Sequence, residues 1–166
     1  MRLIGKSEVL LEQMVLWQRD DVMRIKCNGT TVPLSDDFVR TYYDQHYDGY
    51  QNMLVGVESD SQEIVGAFLI EDIDRRNCRC YMHIQFSPQG RQKCLKTACT
   101  SMANFTFTEL HMRQILGIIS EDNVPALRFI DKMGWKRISI MPDYFSSSFG
   151  WKDGILVRLV PEWRKF

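Results

Sequence analysis

The stretch Ile115-Leu116-Gly117-Ile118-Ile119-Ser120-Glu121-Asp122-Asn123-Val124-Pro125-Ala126-Leu127-Arg128-Phe129-Ile130-Asp131-Lys132-Met133-Gly134-Trp135 decides how the chain is read. Its first five residues are continuously apolar, as in a short strand buried on both faces. Asp122 or Asn123 then caps a helix, and Pro125 fits the first turn because its missing N–H has no helical partner there. Ala126, Phe129, Ile130 and Met133 form the expected buried face. Lys132 suits the negative end of the helix, and Gly134 takes the left-handed position that stops it.

Working upstream, Leu95, Ala98, Met102 and Phe105 share one helical stripe, which predicts a helix over about 92–109. Cys78 to Phe86 alternates like a strand and stops at Ser87-Pro88. A strand–helix–strand unit makes a right-handed parallel crossover, so Cys78–Phe86 and Arg113–Ser120 are expected to be parallel neighbours that diverge beyond their midpoints. Met53–Val57 and Ile64–Ile70 flank the turn residues Glu58-Ser59-Asp60-Ser61 and read as a hairpin. Ser7 caps a first helix carrying Leu10, Met14 and Trp17, and Ser35-Asp36-Asp37 opens a second through Phe38 and Tyr42. Downstream, strands at about 135–141 and 151–159 are separated by an expected loop, Pro142-Asp143-Tyr144 and Ser146-Ser147-Ser148. The order ααβββαβαββ predicts an α/β (α+β) fold with a mixed central sheet and helices on both faces. The 166 residues suit a single domain spanning 1–166.

Lys plus Arg and Asp plus Glu both number 21, so the formal charge is zero and no uniform polybasic surface exists. Nucleic acid is therefore not an expected partner, since phosphate neutralisation supplies most of such affinity. No apolar run approaches the roughly 20 residues that span a bilayer, and the first residues lack a secretory apolar stretch. The expected location is cytoplasmic, with no membrane partner. The five cysteines (Cys27, Cys78, Cys80, Cys94, Cys99) are odd in number and read as free thiols. His46, His83 and His111 are scattered, and no metal site is expected. Asn28-Gly29-Thr30 and Asn104-Phe105-Thr106 match a glycosylation pattern that carries no weight without a leader.

Asn123-Val-Pro-Ala126 through Lys132-Met-Gly134-Trp135 resembles the N-x-x-A…K-x-G-F segment of the GNAT superfamily of N-acetyltransferases. Phe86-Ser-Pro88-Gln-Gly-Arg91-Gln92-Lys93-Cys94-Leu95-Lys96 resembles that family's strand end and acetyl-CoA loop, V-x-P-x-x-R-G-x-G-x-G/A. Gly150-Trp-Lys-Asp153 with Glu162-Trp163 resembles the tail of its ribosomal-protein-acetylating branch. The likeness covers about residues 50–163. It implies acetyl-CoA as co-substrate, with pantetheine along the strand at Ile84 and Phe86. The pyrophosphate would lie on the helix start, which assigns Arg91, Gln92, Lys93, Cys94, Leu95, Lys96 and Asn123 to the cofactor. Cys94 and Lys96 stand where the family has small residues. Arg91, Lys93 and Lys96 either supply side-chain cations to the phosphates or form a solvated basic helix start.

Transfer to an amine calls for proton removal. The family's base positions fall here on Cys80, Met82 and Ile118, and its acid position on Ile130. The remaining candidates are His83, placed on the opposite strand face from Cys80 and Met82; Ser120, as holder of a water; and Tyr144, as acid. Glu71 and Asp72 either line the amine entrance or are a solvated pair. The resemblance implies an acetyl-CoA-dependent N-acetyltransferase acting on a protein or small-molecule amine, with slow turnover that rises with pH. A homodimer is one assembly it allows. The alternative is a catalytically weak or inactive binding or assembly protein of the kind tailed phages encode.

Overall fold

Ser7 accepts the Leu10 N–H at 3.4 Å and starts helix α1 (Glu8–Arg19), and Ser35 accepts from Phe38 to start α2 (Asp36–His46). The computed structural model describes residues 1–20, 34–147 and 150–162. Cys27, the Asn28-Gly29-Thr30 pattern, Ser148 and Trp163 lie outside them. A short strand β1 (Arg2–Ile4) precedes α1. Then come β2 (Met53–Glu58), β3 (Ile64–Asp74), β4 (Arg79–Phe86), α3 (Pro88–Lys93), α4 (Leu95–Thr108), β5 (Gln114–Ser120), α5 (Val124–Lys132), β6 (Lys136–Ser147) and β7 (Gly150–Leu159). The sheet order is β1-β2-β3-β4-β5-β7-β6. Every neighbouring pair is antiparallel except β4 and β5, which run parallel as the crossover requires.

One sheet face, including Phe68, Ile70, Cys80, Met82, Phe86 and Ile115, packs on Ala98, Cys99 and Met102 of α4 and Ile130 of α5. The other face buries Leu54, Ala67 and Leu69 beneath Leu10, Leu11 and Met14 of α1 and Val39 and Tyr43 of α2. The mixed sheet thus carries helices on both faces, as expected.

Several local expectations need correction. The single helix over 92–109 is two, because Ser87 accepts the Gly90 N–H at 3.1 Å and starts α3 early, and the chain turns at Cys94 before α4. Cys99 and Thr106 join Ala98 and Met102 on the buried side, while Leu95 and Phe105 are half-buried. In α5 the buried residues are Leu127 and Ile130, with Ala126, Phe129 and Met133 half-buried. The expected loop at 142–146 is strand: β6 runs through it with a register shift between Met141 and Phe145, where Asp143 takes φ +51°. The helix through Phe38 and Tyr42 forms as expected, with those two side chains exposed and Val39 and Tyr43 buried. Asn123 caps α5 by accepting the Ala126 N–H at 3.3 Å, and Gly134 follows that helix at φ +83°.

Gly90 presses against β3, where a Cβ would overlap the Val65 carbonyl oxygen. Backbone cannot yield as a flexible side chain can. We expect Gly90→Ala to destabilise the protein by about 1–3 kcal/mol, as overpacking does. Chemical denaturation checks this, with the exposed Lys93→Ala expected to fall within about 0.5 kcal/mol of wild type.

Candidate active site

β4 and β5 pair only at Arg79–Gln114, Cys80–Ile115 and Tyr81–Leu116. Beyond these pairs the strands part. β4 stays on β3 as far as Phe86, while β5 stays on β7 as far as Ser120, so a slot opens between them. Ser87 N–H bonds to Val65 O at 3.0 Å, which puts the odd-numbered residues of β4 in the bonding pairs with β3. By the alternation of an antiparallel ladder, the main-chain groups of Met82, Ile84 and Phe86 then face the slot. The Phe86 carbonyl is taken by Arg91 Nε at 3.0 Å. Ile84 therefore offers the best-placed main-chain donor and acceptor to an extended ligand.

At the mouth of the slot α4 begins without a side-chain cap, and its first closing bond is Ala98 N–H to Cys94 O. The first-turn amides of Leu95, Lys96 and Thr97 therefore point out of the helix end, where the dipole is positive. Gln92, Lys93 and Lys96 are exposed and Cys94 is half-buried. Arg91, turned onto the strand end, contributes first to local structure. The slot and the helix start fit an acyl-CoA: extended main chain for pantetheine, open amides with Lys93 and Lys96 for phosphate.

Beside β4, on the α1/α2 face, lies a cleft of about 500 Å³. Glu71 and His83 stand on its sheet wall: Leu69 pairs with His83 and Glu71 with Tyr81, so Glu71 and His83 are diagonal neighbours on one face. His83 Nε2 is 3.0 Å from Glu71 Oε2, and the Tyr47 hydroxyl donates to Oε1 at 2.5 Å. His46 Nε2 approaches Oε1 at 3.7 Å. Burial pushes the Glu71 carboxyl up, but the hydrogen bonds from His83 and Tyr47 and the nearby imidazoles outweigh it and leave it below the ordinary value. Burial, reinforced by Glu71, pushes the Tyr47 hydroxyl up and keeps it a donor. Rings of α2 and its C-terminal end form the other wall: Tyr42 stacks on His46 with centroids 4.9 Å apart, and Tyr43 on Tyr47 at 5.6 Å.

The structure thus brings His83 and Ile84 to the cleft wall but leaves Ser120 and Tyr144 outside its lining. Ser120 Oγ is 2.7 Å from Asp122 Oδ1, and Asp122 also pairs with Lys152. Tyr144 sits in β6, and Gly154 lets it close toward Ile118: a Cβ there would lie 2.8 Å from Ile118 Cγ2 and 3.1 Å from Tyr144 Cβ. Asn123 spends its carboxamide oxygen on the cap. Asp72 is exposed at φ +50° and donates its N–H to Asn52, apart from the cleft that Glu71 lines. Cys80 is fully buried, and burial pushes its thiol up to about 12. Met82 and Ile130 are core, and Ile118 is half-buried. Tyr47, His46 and Tyr43 were missed, although Tyr42-Tyr43-x-x-His46-Tyr47 has the i, i+4 spacing that stacks rings on one helix side. Among the described residues no cluster of three or more His, Cys, Asp or Glu is arranged to hold a metal, and no helix is long and apolar enough to cross a membrane.

A split mixed sheet with an open helix start at its mouth defines the acetyl-CoA-using acyltransferase type of fold. The family description "Acetyltransferase (GNAT) domain" matches residues 6–136, and the chain belongs to that family. The spermidine N-acetyltransferase of Vibrio cholerae in complex with CoA and spermine superposes with a TM-score of 0.86 at 14% identity, covering 96% of this chain and 94% of that one. The same organism's spermidine/spermine N-acetyltransferase in complex with manganese ions gives 0.79 at 15% identity, over 96% and 91%. At such identity the likeness speaks for the fold. No curated protein matches the sequence.

Because the Glu71 carboxyl lies below its ordinary value in the folded state, its contribution to stability is present above the unfolded-state value and is lost as pH falls through the folded one. We expect wild type to lose more stability than Glu71→Gln between about pH 6 and about pH 3. Denaturant midpoints at a series of pH values read this directly, and parallel curves would contradict it.

Proposed function

We propose that the protein is an acetyl-CoA-dependent N-acetyltransferase whose acceptor amine enters the Glu71–His83 cleft. The observation that carries the reading is the His83–Glu71 pair on the strand whose other residues line the slot. Acetyl-CoA supplies the activated acetyl thioester. The residues that would hold it are Ile84 by its main chain, the first-turn amides of α4, and Lys93 and Lys96 by charge. A carboxylate can only accept, so Nε2 of neutral His83 carries the hydrogen toward Glu71 and Nδ1 remains the basic nitrogen. That nitrogen takes the proton the amine must lose, and Glu71 stabilises the imidazolium that results. Tyr47 fixes the Glu71 rotamer from behind. An ammonium arriving in the cleft meets one carboxylate and several ring faces, both of which attract it.

The cleft suits a small amine better than the protein amine implied by the likeness of the tail. Two of the tail residues have structural work: Lys152 pairs with Asp122, and Asp153 Oδ1 accepts the Asp143 N–H at 3.0 Å. Ser120 and Tyr144, outside the cleft lining, act at most on water or the departing thiolate.

Removing a general base costs about 10²–10⁴-fold. We expect His83→Ala to lower kcat by that order while CoA binding holds. Ser120→Ala and Tyr144→Phe should each cost less. Acetyl-CoA consumption across pH, with calorimetric CoA binding, is the assay; no turnover with wild type at any pH would favour the binding-protein alternative.

Where side-chain charge substitutes for close backbone contact, affinity depends on salt, because exposed charges are screened beyond about 8 Å at physiological ionic strength. CoA binding should weaken with added salt, and Lys96→Ala should both weaken it and reduce the salt slope. Equal affinities for the two proteins at low and high salt would reduce Lys96 to solvated surface.

A further inference from the structure

The cleft wall facing Glu71 and His83 is mostly ring and hydrocarbon: Leu34, Phe38, Val39, Tyr42, Tyr43 and Tyr47. Phe38 and Tyr42 stand at 56% and 42% exposure, with ring centroids 6.4 Å apart and planes 12° from parallel. Exposed aromatic faces turned toward a cleft, rather than into the core, are a surface waiting for an apolar body. Against this, Glu71 is the one carboxylate among the described lining residues. Asp36 and Asp44 of α2 are paired with Arg19 and Lys6, Asp37 is exposed and outside the cleft lining, and Asp48 caps the following turn by accepting the N–H groups of Tyr50, Gln51 and Asn52. A polyamine presents two or more ammonium groups along a thin chain, and each ammonium beyond the first would lose water without meeting a carboxylate in this lining. An amine with one charge and an aromatic body satisfies both walls.

Resting on the acetyl-transfer reading of the same cleft, we infer that the acceptor is a monoamine carrying an aromatic or comparably bulky apolar body, held with its amine at Glu71 and His83 and its body on the Phe38–Tyr42 rings. This separates the chain from its spermidine-acetylating structural neighbours by charge count rather than by fold. Phe38 and Tyr42 set specificity, and the reacting nitrogen is handled by others.

The probes are 2-phenylethylamine, n-propylamine and spermidine. Acetyl-CoA consumption gives kcat/KM for each, and calorimetry without acetyl-CoA gives binding. We expect 2-phenylethylamine to exceed spermidine at least tenfold in kcat/KM. Phe38→Ala and Tyr42→Ala should raise KM for 2-phenylethylamine about tenfold more than for n-propylamine, with most of the change in KM rather than kcat. Both side chains are largely exposed, so folding should survive, and Tyr42→Phe should retain the wild-type preference. Spermidine equal to or better than 2-phenylethylamine would overturn the inference while leaving acetyl transfer standing. So would variants that penalise all three amines alike. Should no amine turn over, binding decides: 2-phenylethylamine held in preference to spermidine, and released by Tyr42→Ala, supports the cleft's specificity while removing the catalytic reading; binding of neither overturns the inference.

Discussion

The parting of β4 from β5 follows from two stronger attachments pulling in different directions. β4 is laddered to β3 along its whole length, and its exit is pinned there: Ser87 N–H bonds to Val65 O, and Gly90 rests on the same carbonyl. β5 is laddered to β7 from Ile115 to Ser120. Only three parallel pairs join the halves, and parallel pairing is slightly the weaker kind per residue. With each strand following its antiparallel partner, the twist of the sheet separates them. The slot is thus an outcome of ordinary ladder geometry, and it leaves one stretch of β4 main chain without a strand partner among the described residues on that side. The open start of α4 lies at its mouth because α3 is capped early by Ser87 and the chain has to turn at Cys94 before a second helix can form.

The acidic site depends on a different irregularity. Between Glu71 and Asp74 the β3–β4 register shifts, with Asp72 at φ +50° held by the Asn52 side chain. The extra residue sends Ile73 into the core beneath α4 and ends the regular strand at Glu71, so its carboxylate stands at the cleft edge, diagonal to His83. A carboxylate placed there would be raised by burial alone. Hydrogen bonds from His83 of β4 and Tyr47 at the end of α2, together with the nearby His83 and His46 imidazoles, reverse this. Core packing, through Tyr43 and Tyr47 on α1 and β3, therefore also fixes the hydrogen bond from Tyr47 that orients Glu71.

Much of this was legible in the sequence, for identifiable reasons. Ser7, Ser35 and Asn123 cap the helices they were expected to cap, because capping is a local contact read over three residues. The hairpin and the parallel crossover followed from alternation and chain order. What escaped was non-local or a matter of register. Glu71 and His83 meet only because a particular strand pairing makes them diagonal, and no spacing along the chain announces that. β1 is three residues long, too short to show a period. Tyr144 was assigned to a loop on the strength of Pro142 and Asp143, yet a bulge absorbs both and the strand runs on. Cys94 breaks the predicted helix just ahead of the hydrophobic stripe, which begins at Leu95 and so carries no sign of the turn between the two helices.

The family positions for acid and base are filled here by Cys80, Met82, Ile118 and Ile130, and a group's surroundings explain why chemistry there would fail. Cys80 and Met82 point into the core against α4, where Cys80 has no exposed surface and its thiol is held up near 12. An ionising side chain in that setting would face the desolvation cost that Cys80 shows and no donor to offset it. On β4 a shift of one residue exchanges one face for the other. His83, one position past Met82, lies on the opposite face, beside a carboxylate that can take its hydrogen, in a cleft open enough to admit an amine. The two faces of β4 thus border the same slot with different surroundings, a dry core on one and a charged, partly open cleft on the other. Met82 and His83, one residue apart, therefore stand in opposite settings, one among apolar side chains and the other beside a carboxylate.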